Sequence, residues 1–87
     1  MPNEQDFRAH IRGMIREAQA ASAAFVDINS GHVHRAVGGY PAPDGNHRMP
    51  ICCQVMKDEK RSDDVVLSSP LKGQGASLTI RYKLPRT

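Results

Sequence analysis

No stretch of this chain approaches the ~18 consecutive apolar residues that a membrane-spanning helix needs, and the first residues, MPNEQDF, hold neither an apolar run nor a small-residue cleavage site. A cytoplasmic protein is expected, with no membrane partner. Cysteine is scarce. The only two, Cys52 and Cys53, are adjacent, so their Cα atoms stand about 3.8 Å apart across a trans peptide, short of the roughly 4.4–6.8 Å that a disulfide uses. They read as small buried hydrophobes in a reducing compartment. Repeats and low-complexity tracts are absent, which excludes solenoids and disordered linkers.

Catalytic signatures are missing as well. There is no G-x-x-x-x-G-K-[ST], no G-x-G-x-x-G and no pair of carboxylates on a shared face, and Gly73-Gln74-Gly75 alone is a turn rather than a phosphate loop. His32, His34 and His47 invite a metal reading with the cysteine pair. Their spacing does not match the Cys-x₂₋₄-Cys or His-x₃₋₅-His patterns that let two side chains reach one zinc ion. No enzyme, metal or cofactor is implied. His32 and His34 are expected on the surface of a helix or near its N-cap.

What the chain does have is length for one domain, residues 1–87, and a mild basic excess: 12 Lys and Arg against 9 Asp and Glu, a net charge of +3. The isoelectric point near 9.2 favours anionic partners without the dense patches of strong non-specific binders.

Hydrophobic spacing then orders the elements. Phe7, Ile11, Met14, Ile15 and Ala18 follow the i, i+4, i+7, i+8, i+11 series of one helical face, predicting a helix from an N-cap at Asn3 to about residue 23. Gly13 falls on its far side. Phe25-Val26-Asp27-Ile28 is a β-prone run. Asn29 has N-cap chemistry, and Ile28 stands at the offset from which it staples onto Val33, so a second helix covers His32 to about Val37 and ends at Gly38-Gly39. Pro41, Pro43, Asp44 and Gly45 make an exposed turn. Pro50 opens a third helix to about Lys60, with Met49, Cys52, Cys53 and Met56 on one face and Ile51, Gln54 and Asp58 opposite. Val65-Val66-Leu67 is a second strand. In the third, Leu78, Ile80, Tyr82 and Leu84 alternate inward against Thr79, Arg81 and Lys83. The expected core is Phe7, Ile11, Met14, Ile15, Ile28, Val33, Val37, Cys52, Met56, Leu67, Leu78, Ile80 and Tyr82.

The order α-β-α-α-β-β, with a long loop at residues 68–75 in the place of a wing, resembles the winged helix-turn-helix superfamily across nearly the whole chain. The resemblance implies a small α+β winged helix whose third helix enters the major groove of double-stranded DNA while the wing touches backbone or minor groove. A small bacterial-type transcriptional regulator, or an accessory DNA-binding factor, would follow. The residues suited to contact are His47 and Arg48 before the third helix, Gln54 and Lys57 along it, Lys72 in the wing and Arg35 on the second helix. Two features depart from the family: the turn between the helices is longer than the 3–4 residues typical of the motif, and Asp58 would repel phosphate. The alternative is a protein-interaction module, a homodimer or a hetero-oligomer, using Ile51 and Val55 as an apolar patch on the exposed side of the third helix.

Overall fold

The computed structural model of the chain describes residues 3–38, 49–69 and 75–86. Its elements are α1 (Glu4–Ala20), β1 (Phe25–Asn29), α2 (Ser30–Gly38), α3 (Met49–Glu59), β2 (Val65–Ser68) and β3 (Thr79–Lys83). They form a small α+β domain of three helices and one antiparallel sheet in the order β1-β3-β2. The turn expected between α2 and α3 and most of the loop between β2 and β3 lie outside the described residues.

Local chemistry starts α1 where the sequence places it. The Asn3 side chain accepts from the Asp6 N–H at 3.0 Å and the Asp6 carboxylate accepts from the Asn3 N–H at 2.9 Å, a reciprocal capping box. Phe7, Ile11 and Ile15 are buried, with Met14 and Ala18 half-buried beside them. The helix ends at Ala20, earlier than the alanine run predicts. Ser22 turns into the left-handed region (φ 62°), its N–H reaches the Gln19 carbonyl at 3.0 Å, and the Ala23 N–H reaches the Ala18 carbonyl at 3.0 Å. This double closure usually carries glycine at the left-handed position, and its serine hides the stop from a reading of sequence.

No loop separates β1 from α2. The Asn29 carboxamide does two things at once: its oxygen accepts the His32 N–H at 3.0 Å and its nitrogen donates to Thr79 Oγ1 at 3.0 Å, so one side chain caps a helix and ties it to β3. Ile28 and Val33, on either side of that cap, are both wholly buried.

The sheet lays one face on the helices. Registers Val26↔Tyr82 and Ile28↔Ile80 put these side chains inward, and the expected alternation along β3 holds from Leu78 to Leu84. On the outer face Asp27 lies opposite Arg81, which donates to it from Nε at 2.8 Å and Nη2 at 3.1 Å while its guanidinium stacks 4.0 Å above the Phe25 ring. That pairing holds the Asp27 carboxyl below its ordinary range.

The core contains most of the expected residues, with corrections at its margins. Leu67 is 46% exposed: the pairing of β2 with β3 slips between Val66 and Ser68, and the extra residue at that irregularity on an edge strand has nothing to cover it. Val37, like Met14, sits at the margin of the core. His34, expected on the surface of α2, is buried, its ring 5.2 Å from that of Phe7 and tilted by 51°. Met49, Cys53, Val55 and Leu84 join the core, and both thiols are free and buried as predicted. Burial, and secondarily the neighbouring Cys53, pushes the Cys52 thiol up to about 12, so it carries no thiolate at neutral pH.

Two polar contacts lock the layers together. The Tyr82 hydroxyl, deep in the core, donates to the Met56 carbonyl at 2.8 Å and joins β3 to α3; burial raises its pKa. Asp64 is 5% exposed and accepts from the Arg61 N–H at 2.7 Å, the Lys83 N–H at 2.7 Å and Arg86 Nη1 at 2.8 Å. Burial alone would raise its carboxyl, but these donors outweigh it and the net shift is downward.

Ser22→Gly should stabilise the fold by about 0.5–1 kcal/mol, because glycine enters the left-handed region without a Cβ penalty while adding some freedom to the unfolded chain. Urea melts with an unchanged slope and a higher midpoint would show it. Acid should act through Asp64 and Glu59, whose folded-state pKa values are both lowered. The folded chain then binds fewer protons than the unfolded one, so their stabilisation is complete above the unfolded values, about 4, and drains away as pH falls through the folded ones. Stability measured from neutral pH to about pH 3 should drop less steeply in Asp64→Asn than in the parent, from a lower starting point.

Candidate nucleic-acid interface

α3 has neighbours around most of its circumference. α1 and α2 both pack on it, and Met49, Cys52, Cys53, Val55 and Met56 are buried. Only a narrow strip of Pro50, Gln54, Lys57 and Asp58 is exposed. Gln54 Nε2 donates to Asp58 Oδ1 at 2.9 Å, and Asp58 in turn lies 3.7 Å from Arg8 of α1.

This geometry overturns the apolar patch expected on α3. Val55 is 1% exposed and Ile51 is half-buried against the core. Helical angles place Val55 on the side towards α1, which closes over it through the Arg8 to Glu59 contact at 3.0 Å; a two-face reading of the helix misses this because it has no term for a second flanking helix. Among the described residues, the exposed large apolar side chains lie elsewhere, at Phe25, Val65, Val66 and Leu67.

Of the six candidate DNA contacts, Gln54 and Lys57 come together on the α3 strip, and Arg35 is exposed on the last turn of α2 beside its own helix's His32 face. His47, Arg48 and Lys72 lie outside the described residues. The strip itself is mixed in charge, Lys57 next to Asp58.

The junction that holds the β2–β3 connection against the helices escaped the sequence reading. The N–H of Ser30 donates to the Leu78 carbonyl at 2.8 Å, that of Gly31 to the Ala76 carbonyl at 3.2 Å, and the Ser30 hydroxyl to the Gly75 carbonyl. From α3 the Cys53 thiol donates to the same Gly75 carbonyl at 3.4 Å. The first helical N–H groups of α2 thus find acceptors in the loop rather than in water. The signal was present as small residues, Ser30-Gly31 and Gly75-Ala76-Ser77, which let two backbones approach. A Cβ on Gly31 would stand 2.9 Å from the Ala76 oxygen and 3.0 Å from its Cβ.

Among the described residues, no three His, Cys, Asp or Glu side chains gather where they could hold a metal ion, and no helix is long and apolar enough to cross a membrane.

Gly31→Ala should force the loop base away from α2 and cost about 1–3 kcal/mol, since the obstacle is backbone that cannot rotate aside. Hydrogen exchange would locate the damage: the amides of Ser30 and Leu78 should lose protection ahead of those in α1.

No family model, curated protein or solved structure matches the chain.

Proposed function

We propose that the chain is a winged helix that binds double-stranded DNA, with α3 as its reading helix and the β2–β3 connection as its wing. The observation that carries this reading is the contact between Cys53 of α3 and Gly75 at the base of the connection. Cys53 borders the exposed strip of α3 next to Pro50 and Lys57, so that strip and Gly75, where the described part of the connection resumes, are neighbours. The element order and the sheet order β1-β3-β2 are in keeping with that architecture. In it, Lys57 neutralises backbone phosphate. Gln54 offers its carboxamide to a base edge, oriented by the hydrogen bond to Asp58. Asp58 restrains binding, because its charge opposes phosphate at short range and lowers affinity for every sequence alike.

A protein partner is the second reading, favoured by the exposure of Val65, Val66 and Leu67 in succession on edge strand β2, which has β3 on one side only. It uses a different surface from the one foreseen at Ile51 and Val55.

Fluorescence anisotropy with short duplexes tests the proposal. Affinity should fall with salt at a log–log slope of about −0.9 per phosphate contact, and Lys57→Ala should reduce that slope by about one contact across all sequences. Gln54→Ala should cost about 1–3 kcal/mol of discrimination at one base pair, and Asp58→Asn should tighten binding to every duplex. Absence of binding to any duplex at low salt rejects the reading and leaves the β2 edge as the surface to pursue.

A further inference from the structure

At the end of the β2–β3 pair remote from the wing, α1 faces the turn after α3 and the segment following β3. Between them lies a groove of about 390 Å³ lined by four guanidinium groups, of Arg12, Arg16, Arg61 and Arg86, and by the carboxylates of Asp58 and Glu59, with a third carboxylate, Asp64, behind Arg86. Like charges of this density repel unless something holds them. Two are held. Arg12 donates to Glu59 from Nε at 2.6 Å and Nη2 at 3.3 Å, which keeps that carboxyl below its ordinary range. Arg86 donates from Nη1 to Asp64 at 2.8 Å and from Nη2 to the Glu59 carbonyl at 2.6 Å, while its own N–H is clamped by Gln19 Oε1 at 2.8 Å. Arg16, exposed on the rim, has no hydrogen-bond or ion-pair partner among the described residues.

We infer that this groove binds a compact, multiply charged oxyanion of the phosphate or pyrophosphate class, at a site that borders the proposed duplex-binding strip at Asp58 but draws its cations from other elements. Arg12 still has N–H groups beyond the two turned to Glu59, and a guanidinium presents them in a fixed planar fork that suits phosphate oxygens. Because Arg12 and Arg86 are already positioned by Glu59, Asp64 and Gln19, little side-chain freedom is lost when the anion arrives. Arg16 supplies the uncompensated charge. Asp58 and Glu59, which line the same groove, select for compactness: a long polyanion would lay further phosphates against them, whereas a small ion needs room only beside the guanidiniums. The volume is of the order that small-ligand sites occupy.

The test is calorimetric titration of the full chain with inorganic pyrophosphate and with orthophosphate, ionic strength held constant with sodium chloride. Pyrophosphate should bind more tightly than orthophosphate and raise the melting temperature, and Arg16→Gln should weaken it about tenfold, the loss of one charge-assisted hydrogen bond. Arg16 is exposed, so the variant should keep the parent's circular dichroism and melt. Lys57→Ala should leave pyrophosphate binding unchanged, and Arg16→Gln should leave duplex binding unchanged, which separates this site from the proposed DNA face. Three results would each overturn the inference: pyrophosphate acting no differently from matched chloride, Arg16→Gln binding it as tightly as the parent, or duplex affinity falling with Arg16→Gln as far as pyrophosphate affinity does.

Discussion

The carboxylate of Asp64 receives the N–H of Arg61 at the end of the α3 segment, the N–H of Lys83 at the end of β3, and the guanidinium of Arg86 beyond it. Two stretches of chain distant in sequence, 61–64 and 83–86, therefore converge on one buried charge. A buried carboxylate is costly when its oxygens go unpartnered, so the arrangement is close to all-or-none: each donor is needed to justify the burial of the acceptor. From this point the remaining geometry follows. The end of β3 is pinned beside β2, Arg86 is swung under Glu59 and over the Tyr82 ring at 5.4 Å, and Tyr82 meets the Met56 carbonyl. The sheet and α3 are thereby set at a fixed separation, which the apolar core fills.

The two ends of the β2–β3 pair are held in different ways. At the Asp64 end, charges are paired, partly buried and arranged in a network reaching α1 through Glu59. At the other, backbone meets backbone through Ser30, Gly31, Ala76 and Leu78, with small residues allowing the approach. Both ends of the strand pair are thus tied to the helices.

Much of this was legible beforehand. The spacing of Phe7, Ile11 and Ile15, the Asn3 and Asn29 caps, and the strict alternation from Leu78 to Leu84 each express a local rule with a period or a hydrogen bond inside a few residues, and the structure follows all of them. Other features were hidden because their cause is not local. Nothing near Val55 announces that α1 will cover it, and nothing near Leu67 announces a slip in pairing with a strand more than ten residues later. Ser22 closes α1 without the glycine that usually marks such a stop. The arginine groove assembles side chains of α1, the α3–β2 turn and the segment after β3, and each arginine taken singly looks like an ordinary solvated charge.

By itself the sequence determined the order, kind and approximate limits of the six elements and most of the core, because periodicity, capping and β-propensity act between neighbours along the chain. Only the tertiary structure decided which margin of each helix is covered, where edge strand β2 leaves apolar side chains exposed, and which charges meet. Those outcomes depend on packing between segments up to 67 residues apart, as for Gln19 and Arg86, and a contact of that reach leaves no periodic trace in either partner.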